Sequence, residues 1–318
     1  MILCALGAAL ALPLGAWASA SLATATADLQ AGKADEAVAL LSDVLRADPS
    51  NAEANNLLCR VEITLEQFDQ AAGHCEKAVS LNYGNASYHL WLGRALGERA
   101  SRASFLSAYS LAKRTRAEFE TAVSLDPRNA DALSDLCEFY REAPGAVGGG
   151  MDKAEATAAK LDAVDAARGH EAHGEIAEKN KDLTVAEREF RAAISGAAHP
   201  AFQWMALASF YRRHERWAEM EAAVTSGAAA ARDRHAAVAL YNGASILART
   251  DRQPEQAIKM LTAYGASQDK TEEAPAFEAL TRLAKLYKKT GDMAGAERAR
   301  AAALALAHDY KPALEAFK

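Results

Sequence analysis

The chain has 318 residues, 50% of them hydrophobic, with a formal net charge of −6 at pH 7 and a pI near 5.8. This balance excludes a disordered chain and leaves room for a sizeable core. The lack of any sustained basic stretch excludes an electrostatic nucleic-acid binder, since neutralising phosphates takes clustered Lys and Arg.

Met1 to Ala27 carries no charge, and its apolar block from Ile2 to Trp17 runs into small-residue sites ending at Ala18 or Ala20. That is the pattern of a secretory signal, so residues 1–20 are expected to be a signal peptide and the mature chain periplasmic or secreted. The segment lacks the usual leading Lys or Arg, and an uncleaved membrane anchor is the alternative. Pro13 and the short apolar length fit a span poorly. Cys4 precedes the apolar block instead of following it, which rules out a lipoprotein reading.

From there on, alanine dominates, aromatics are only 7% and β-branched runs are missing, which predicts helix nearly throughout. Small residues recur at fixed phase, as at Ala37, Ala71, Ala154, Ala186, Ala257 and Ala296. Pro49 and Tyr83 occupy equivalent ends, and 83 minus 49 is 34. The third unit reads His89, Leu92, Gly93 and Leu96, then Phe119, Ala122 and Pro127. The sixth reads Trp204, Leu207, Ala208 and Tyr211, and the eighth Leu280, Leu283, Ala284 and Tyr287.

In this spacing and order the chain resembles the tetratricopeptide-repeat (TPR) family, as an exported bacterial member, from about Asp28 to Ala307. The resemblance implies an all-α, right-handed α-solenoid of about eight helix-turn-helix units, in one domain from 21 to 318. The units lie near 21–51, 52–85, 86–129, 130–166, 167–200, 201–234, 235–272 and 273–307, with a cap over 308–318. Proline supports the division: Pro49, Pro127 and Pro200 fall between units, Pro144 and Pro254 between paired helices, and Pro275 and Pro312 flank the last unit.

The eighth position of units two to eight is always small: Cys59, Gly93, Cys137, Gly174, Ala208, Ser245 and Ala284. It is expected to face the small twentieth position across each pair. Thr115 and Met220, larger at that position, should then splay units three and six. The same register leaves Cys75 about one turn away from Cys59, which favours packing roles for Cys59 and Cys137, with a Cys59–Cys75 disulfide as the alternative.

Two stretches break the period. The third unit has about ten extra residues, in 100–113, and the fourth about five, in 144–150, at the same kind of loop, so they should project side by side. The first carries Phe105, Leu106 and Tyr109 among Arg102, Lys113 and Arg114, a pattern suited to an acidic partner or an anionic envelope polymer. Extended helices that pack the aromatics on the fourth unit are the plainer reading.

On the concave face the resemblance places Asn56, Arg60 and Arg94 early, Glu138, Glu171, Glu175 and Glu178 in the middle, and Arg212, Lys285 and Lys288 late. The family's carboxylate clamp is not reproduced, because Trp91 stands where it needs Asn. The glycine run 144–150 could cradle an anion, but Met151 stands where a phosphate loop needs Lys, so a flexible loop with Asp152 as N-cap is expected. His170 and His173 could chelate a metal, yet both fall at core positions, so core or half-buried histidines are expected. No nucleophile stands beside a base, so neither catalysis, a cofactor nor a metal is expected. The expected role is a non-catalytic scaffold binding another protein or peptide segment.

Overall fold

Two local signals write out the helix pairs. Before the first helix of the second, third and fourth pairs stands an Asx cap: Asn51, Asn85 and Asn129 accept from the amides of Ala54, Ser87 and Ala132 at 2.9, 3.0 and 3.0 Å, meeting donors that no helical carbonyl can reach. At the turn inside the pair one residue goes left-handed, as at Glu66 (φ 60°), Lys181 (φ 66°) and Glu215 (φ 57°). That turn closes the helix with a reversed bond such as Gln67 N to Glu62 O at 2.8 Å.

The computed structural model describes residues 14–231 and 237–316. Among them are seventeen α-helices and no strand. Sixteen helices form eight antiparallel pairs: α1 (Leu14–Ala31) with α2 (Ala34–Ala47), α3 (Ala52–Thr64) with α4 (Phe68–Leu81), α5 (Ala86–Arg102) with α6 (Phe105–Leu125), and α7 (Ala130–Glu142) with α8 (Met151–Asp162). Then come α9 (Ala166–Lys179) with α10 (Leu183–Gly196), α11 (Ala201–Arg213) with α12 (Trp217–Ala230), α13 (Ala237–Arg249) with α14 (Pro254–Ala266), and α15 (Ala276–Thr290) with α16 (Met293–Leu304). The short α17 (Lys311–Leu314) ends the fold. This is the expected α-solenoid. The first 13 residues of the expected signal peptide and the boundary at 234/235 lie outside the described residues.

Packing inside the pairs differs from the sequence expectation in one respect. The small eighth position faces the twenty-fourth, not the twentieth. A Cβ on Gly174 would lie 3.2 Å from the Phe190 ring, and one on Gly93 would enter the Phe119 ring. Each glycine is thus a hole filled by a phenylalanine knob. Unit three is therefore tightly closed despite Thr115, which instead meets Gly97.

The same geometry corrects the cysteines. Cys59 and Cys75 are joined in a disulfide with Cα atoms 5.4 Å apart, while Cys137 is free and buried. Both bonded residues lie eight positions from Gln67, the residue that starts the return helix, so an antiparallel pair sets them opposite each other. Distance from the turn, not matching of small positions, decides which residues meet.

The ends of the solenoid meet, closing it into a ring. Phe277, Ala303, Ala307, Tyr310 and Ala313 share one core cluster with Ala25, Leu29, Leu41 and Leu58 of the first two units. Gly32 makes the approach possible: it is left-handed (φ 73°), and a Cβ there would lie 3.0 Å from that of Ala276. Asp35 N donates to Leu306 O at 3.1 Å, and Gln67 Nε2 to Asp309 at 2.8 Å. The C-terminal cap covers the last unit, as expected of a terminal segment, and also docks on the first. Helix α1 runs on through Ala18 and Ala20, and its buried residues begin at Ser21.

Candidate functional site

The first helix of each pair carries the charge that an open solenoid would present on its concave side. In the ring, neighbouring rungs use these charges on each other. Arg94 bonds Asp135 at 2.6 Å, Arg168 bonds Asp131 at 2.5 Å, Lys179 bonds Glu142 at 2.6 Å and Arg213 bonds Glu178 at 2.6 Å. Arg141 pairs with Glu175 in the same way. Each pair ties one first helix to the next. Arg60 carries this belt across the seam, its Nε and Nη2 holding both oxygens of Glu272 at 2.9 and 2.5 Å in a bidentate pair.

Arg60 and Arg94 also lie 5.0 and 4.5 Å from the Trp91 ring centroid, within cation–π range. These two candidates are therefore engaged internally. Asn56, expected beside them on the concave face, is only 1% exposed, with its Oδ1 unpartnered. It is a wall residue and not a surface one. Glu171 stands apart from the belt. Its Oε1 has no hydrogen-bond partner, and burial, reinforced by the Glu175 charge, pushes its carboxyl up to about 7.

The third-unit insertion builds a different kind of surface. It lengthens both helices of its pair, to 17 residues in α5 and 21 in α6, against 13 and 14 in α3 and α4. The result is a helical arm turning at Ala103 and Ser104. At its tip Phe105 is 84% and Leu106 80% exposed. Behind them the cations are engaged: Arg102 pairs with Glu98 at 2.5 Å and stacks on Phe68 at 4.2 Å, Arg114 pairs with Glu76 at 2.6 Å, and Lys113 lies 5.0 Å from the Tyr109 ring centroid.

The arm leans on the second insertion, as the shared loop position implies. Tyr109 Oη donates to Ala146 O and Arg116 Nη1 to Val147 O, both at 3.2 Å. Of the plainer reading, Tyr109 packs on the fourth unit and Phe105 and Leu106 do not.

No curated protein sequence matches the chain. A family model of the tetratricopeptide repeat matches residues 28–96. Among solved structures, a thermophilic TPR protein of Thermus thermophilus superimposes with a TM-score of 0.52 at 19% identity, over 61% of this chain and 98% of that one. A TPR protein of Parabacteroides merdae gives a TM-score of 0.50 at 14% identity, over 79% of this chain and 93% of that one.

Residues 28–96 thus match the tetratricopeptide repeat, and the chain shares the α-solenoid fold of those two structures. Within this ring the remaining candidates fall into structural roles. The glycine run forms a short 3-10 turn, Gly145–Val147, and its amides bond its own chain: Gly149 N to Pro144 O at 3.2 Å and Gly150 N to Tyr140 O at 2.8 Å. Gly150, not Asp152, is the N-cap of α8. The amides of Gly148, Gly149 and Gly150 are thus taken up within the loop and do not point together at an anion site.

His170 and His173 go to separate carboxylates, Glu189 at 2.9 Å and Asp162 at 3.0 Å, each half-buried, one of the two placements expected of them. Among the described residues, the metal-ligand types that do converge are Asp35, His308 and Asp309, exposed at the seam. The ring also has features that the sequence reading missed, chief among them Glu272, the partner that closes the belt. No helix among the described residues is long and apolar enough to cross a membrane.

Proposed function

We propose that this protein is a non-catalytic interaction scaffold of the cell envelope that captures another protein on its arm, through Phe105 and Leu106. Repeats of this family rest on rigid helix pairs suited to holding a partner surface, and here the inner charges are engaged in the belt. The observation that carries the reading is the adjacent pair of large apolar side chains held in water at the tip of a rigid projection. Isolated exposed apolar residues are ordinary, but two at the tip of a built arm suit a hot spot.

Export is part of the proposal, with residues 1–20 as a signal peptide. It is supported by the uncharged apolar N-terminus, by burial that starts at Ser21, and by the Cys59–Cys75 disulfide, a bond that persists in oxidising compartments. An anionic envelope polymer bound by Arg102, Lys113 and Arg114 has less support, because both arginines already hold carboxylates. The test is a photo-crosslinking residue at position 105 in the native host. One captured protein, absent when the probe stands at exposed Glu36 on the ring's outside, is the expected result. Equal yields from the two sites would sink the arm as the binding surface.

A further inference from the structure

Ring closure forms a central cavity of about 1200 Å³, open to solvent and large beside ligand pockets of roughly 300–1,000 Å³. The stems of the arm helices wall it on one side, through Glu98 and Ala112, and the end of the seventh unit and the eighth close the other, through Glu272 and Glu278. The two insertions and the seam thus build this cavity, and a regular open solenoid would not have it.

Most charge in the wall is neutralised where it stands. Arg94 is engaged by Asp135, Arg102 by Glu98 and Arg282 by Glu278. The remainder is acidic. Glu66, Glu138 and Glu273 line the cavity, are exposed and form no close ion pair among the described residues, Arg141 and Arg94 acting on Glu138 and Glu273 only at longer range, against one guanidinium, Arg249, without a close carboxylate. Between these carboxylates the lining is apolar, including Ile63, Phe139 and Val147.

Thr115 gives an independent pointer. It lines the same cavity, is 4% exposed, and its hydroxyl has no hydrogen-bond partner. Other buried helical threonines bond back one turn, Thr157 to Lys153 O at 2.8 Å and Thr281 to Phe277 O at 2.7 Å. A buried hydroxyl left without a partner is a cost that a ligand N–H would remove.

We propose that the central cavity is a binding site for alkylammonium groups, with ammonium ends on Glu138 and Glu273, methylenes along Phe139 and Val147, and an N–H directed to the Thr115 hydroxyl. This site is separate from the arm and stands whether or not the arm captures a protein. The same chemistry comes from a free polyamine or from adjacent lysines of a peptide.

Calorimetric titration of the full chain at low salt, with spermidine and with acetylated tetralysine, separates the two sources. Saturable one-to-one binding of spermidine alone assigns a free polyamine, and binding of tetralysine assigns lysine side chains. Tetraglutamate, titrated in parallel, should not bind. The double variant Glu138→Gln/Glu273→Gln should weaken the bound probe by about tenfold, since each partly screened ion pair contributes a modest share. The variant Glu36→Gln/Glu297→Gln, with both changes on the ring's outside, should leave it unchanged. All of these variants alter exposed side chains, and a melting curve verifies folding. Absence of saturable binding by either probe at millimolar concentration, or unaltered binding to the Glu138→Gln/Glu273→Gln variant, overturns the proposal.

Discussion

The inner wall and the arm are made from the same ingredients, arginines beside aromatic side chains, and they come to opposite ends. On the wall, Arg60 and Arg94 flank Trp91 and each holds a carboxylate of another unit, so the charges stabilise the ring. On the arm, the arginines turn to carboxylates at its base while Phe105 and Leu106 stay in water. Residue type alone therefore does not mark a binding surface in this protein. What marks it is whether a neighbouring unit is placed to satisfy the side chain.

The comparison can be broken most forcefully on the wall side. Removing the disulfide with Cys59→Ala/Cys75→Ala should lower stability by about 3 kcal/mol, the loop-closure value for about 16 residues, in a urea titration. Arg60→Ala should cost somewhat less, about 2–3 kcal/mol, because it leaves Glu272 largely buried without its partner. Gly93→Ala should destabilise by about 1–2 kcal/mol, since the Phe119 ring must move to admit a methyl group.

Two titrating groups, one on the inner wall and one at the seam, sharpen it further. The folded-state carboxyl of Glu171 sits at about 7, above its ordinary 4.5. The folded chain therefore keeps a proton that the unfolded chain loses, and stability falls as pH rises through this window. Glu171→Gln should flatten that fall and leave the variant more stable than the parent at pH 8. His308 is raised by its hydrogen bond to Asp35 and then by the Asp35 and Asp309 charges. Its contribution to the seam is full below pH 6.5 and is lost as pH rises through the raised value. The smallest expected effect lies on the arm. Phe105→Ser/Leu106→Ser should change stability by less than about 0.5 kcal/mol while abolishing partner capture in a pull-down from the native host.

The repeats were legible because local chemistry carries them. Prolines at the boundaries and the small eighth positions each act within a few residues, as do the caps Asn51, Asn85 and Asn129, a local signal that the sequence reading passed over. The disulfide was obscured because the small positions were matched to each other, when Gly93 and Gly174 are small to admit Phe119 and Phe190. Closure of the ring depends on the sum of small rotations over eight pairs, which no local pattern records. The belt, by contrast, left a trace in the sequence. Asp131 and Arg168, and Glu142 and Lys179, are opposite charges 37 residues apart, the length of the fourth unit. Charges that recur one unit apart with inverted sign point to rung-to-rung pairing before they point to a ligand.

The closed ring is the claim on which both the engaged wall and the central cavity depend, and one amide reports on it. Asp35 is the second residue of α2, where no carbonyl of its own helix can reach its N–H, and its acceptor is Leu306 O on the far side of the seam. Residue-resolved hydrogen exchange at pH 6 should find the Asp35 amide protected, and Arg60→Ala should reduce that protection. An Asp35 amide that exchanges at the rate of an unstructured chain, while the rest of α2 stays protected, would show an open solenoid and contradict the account.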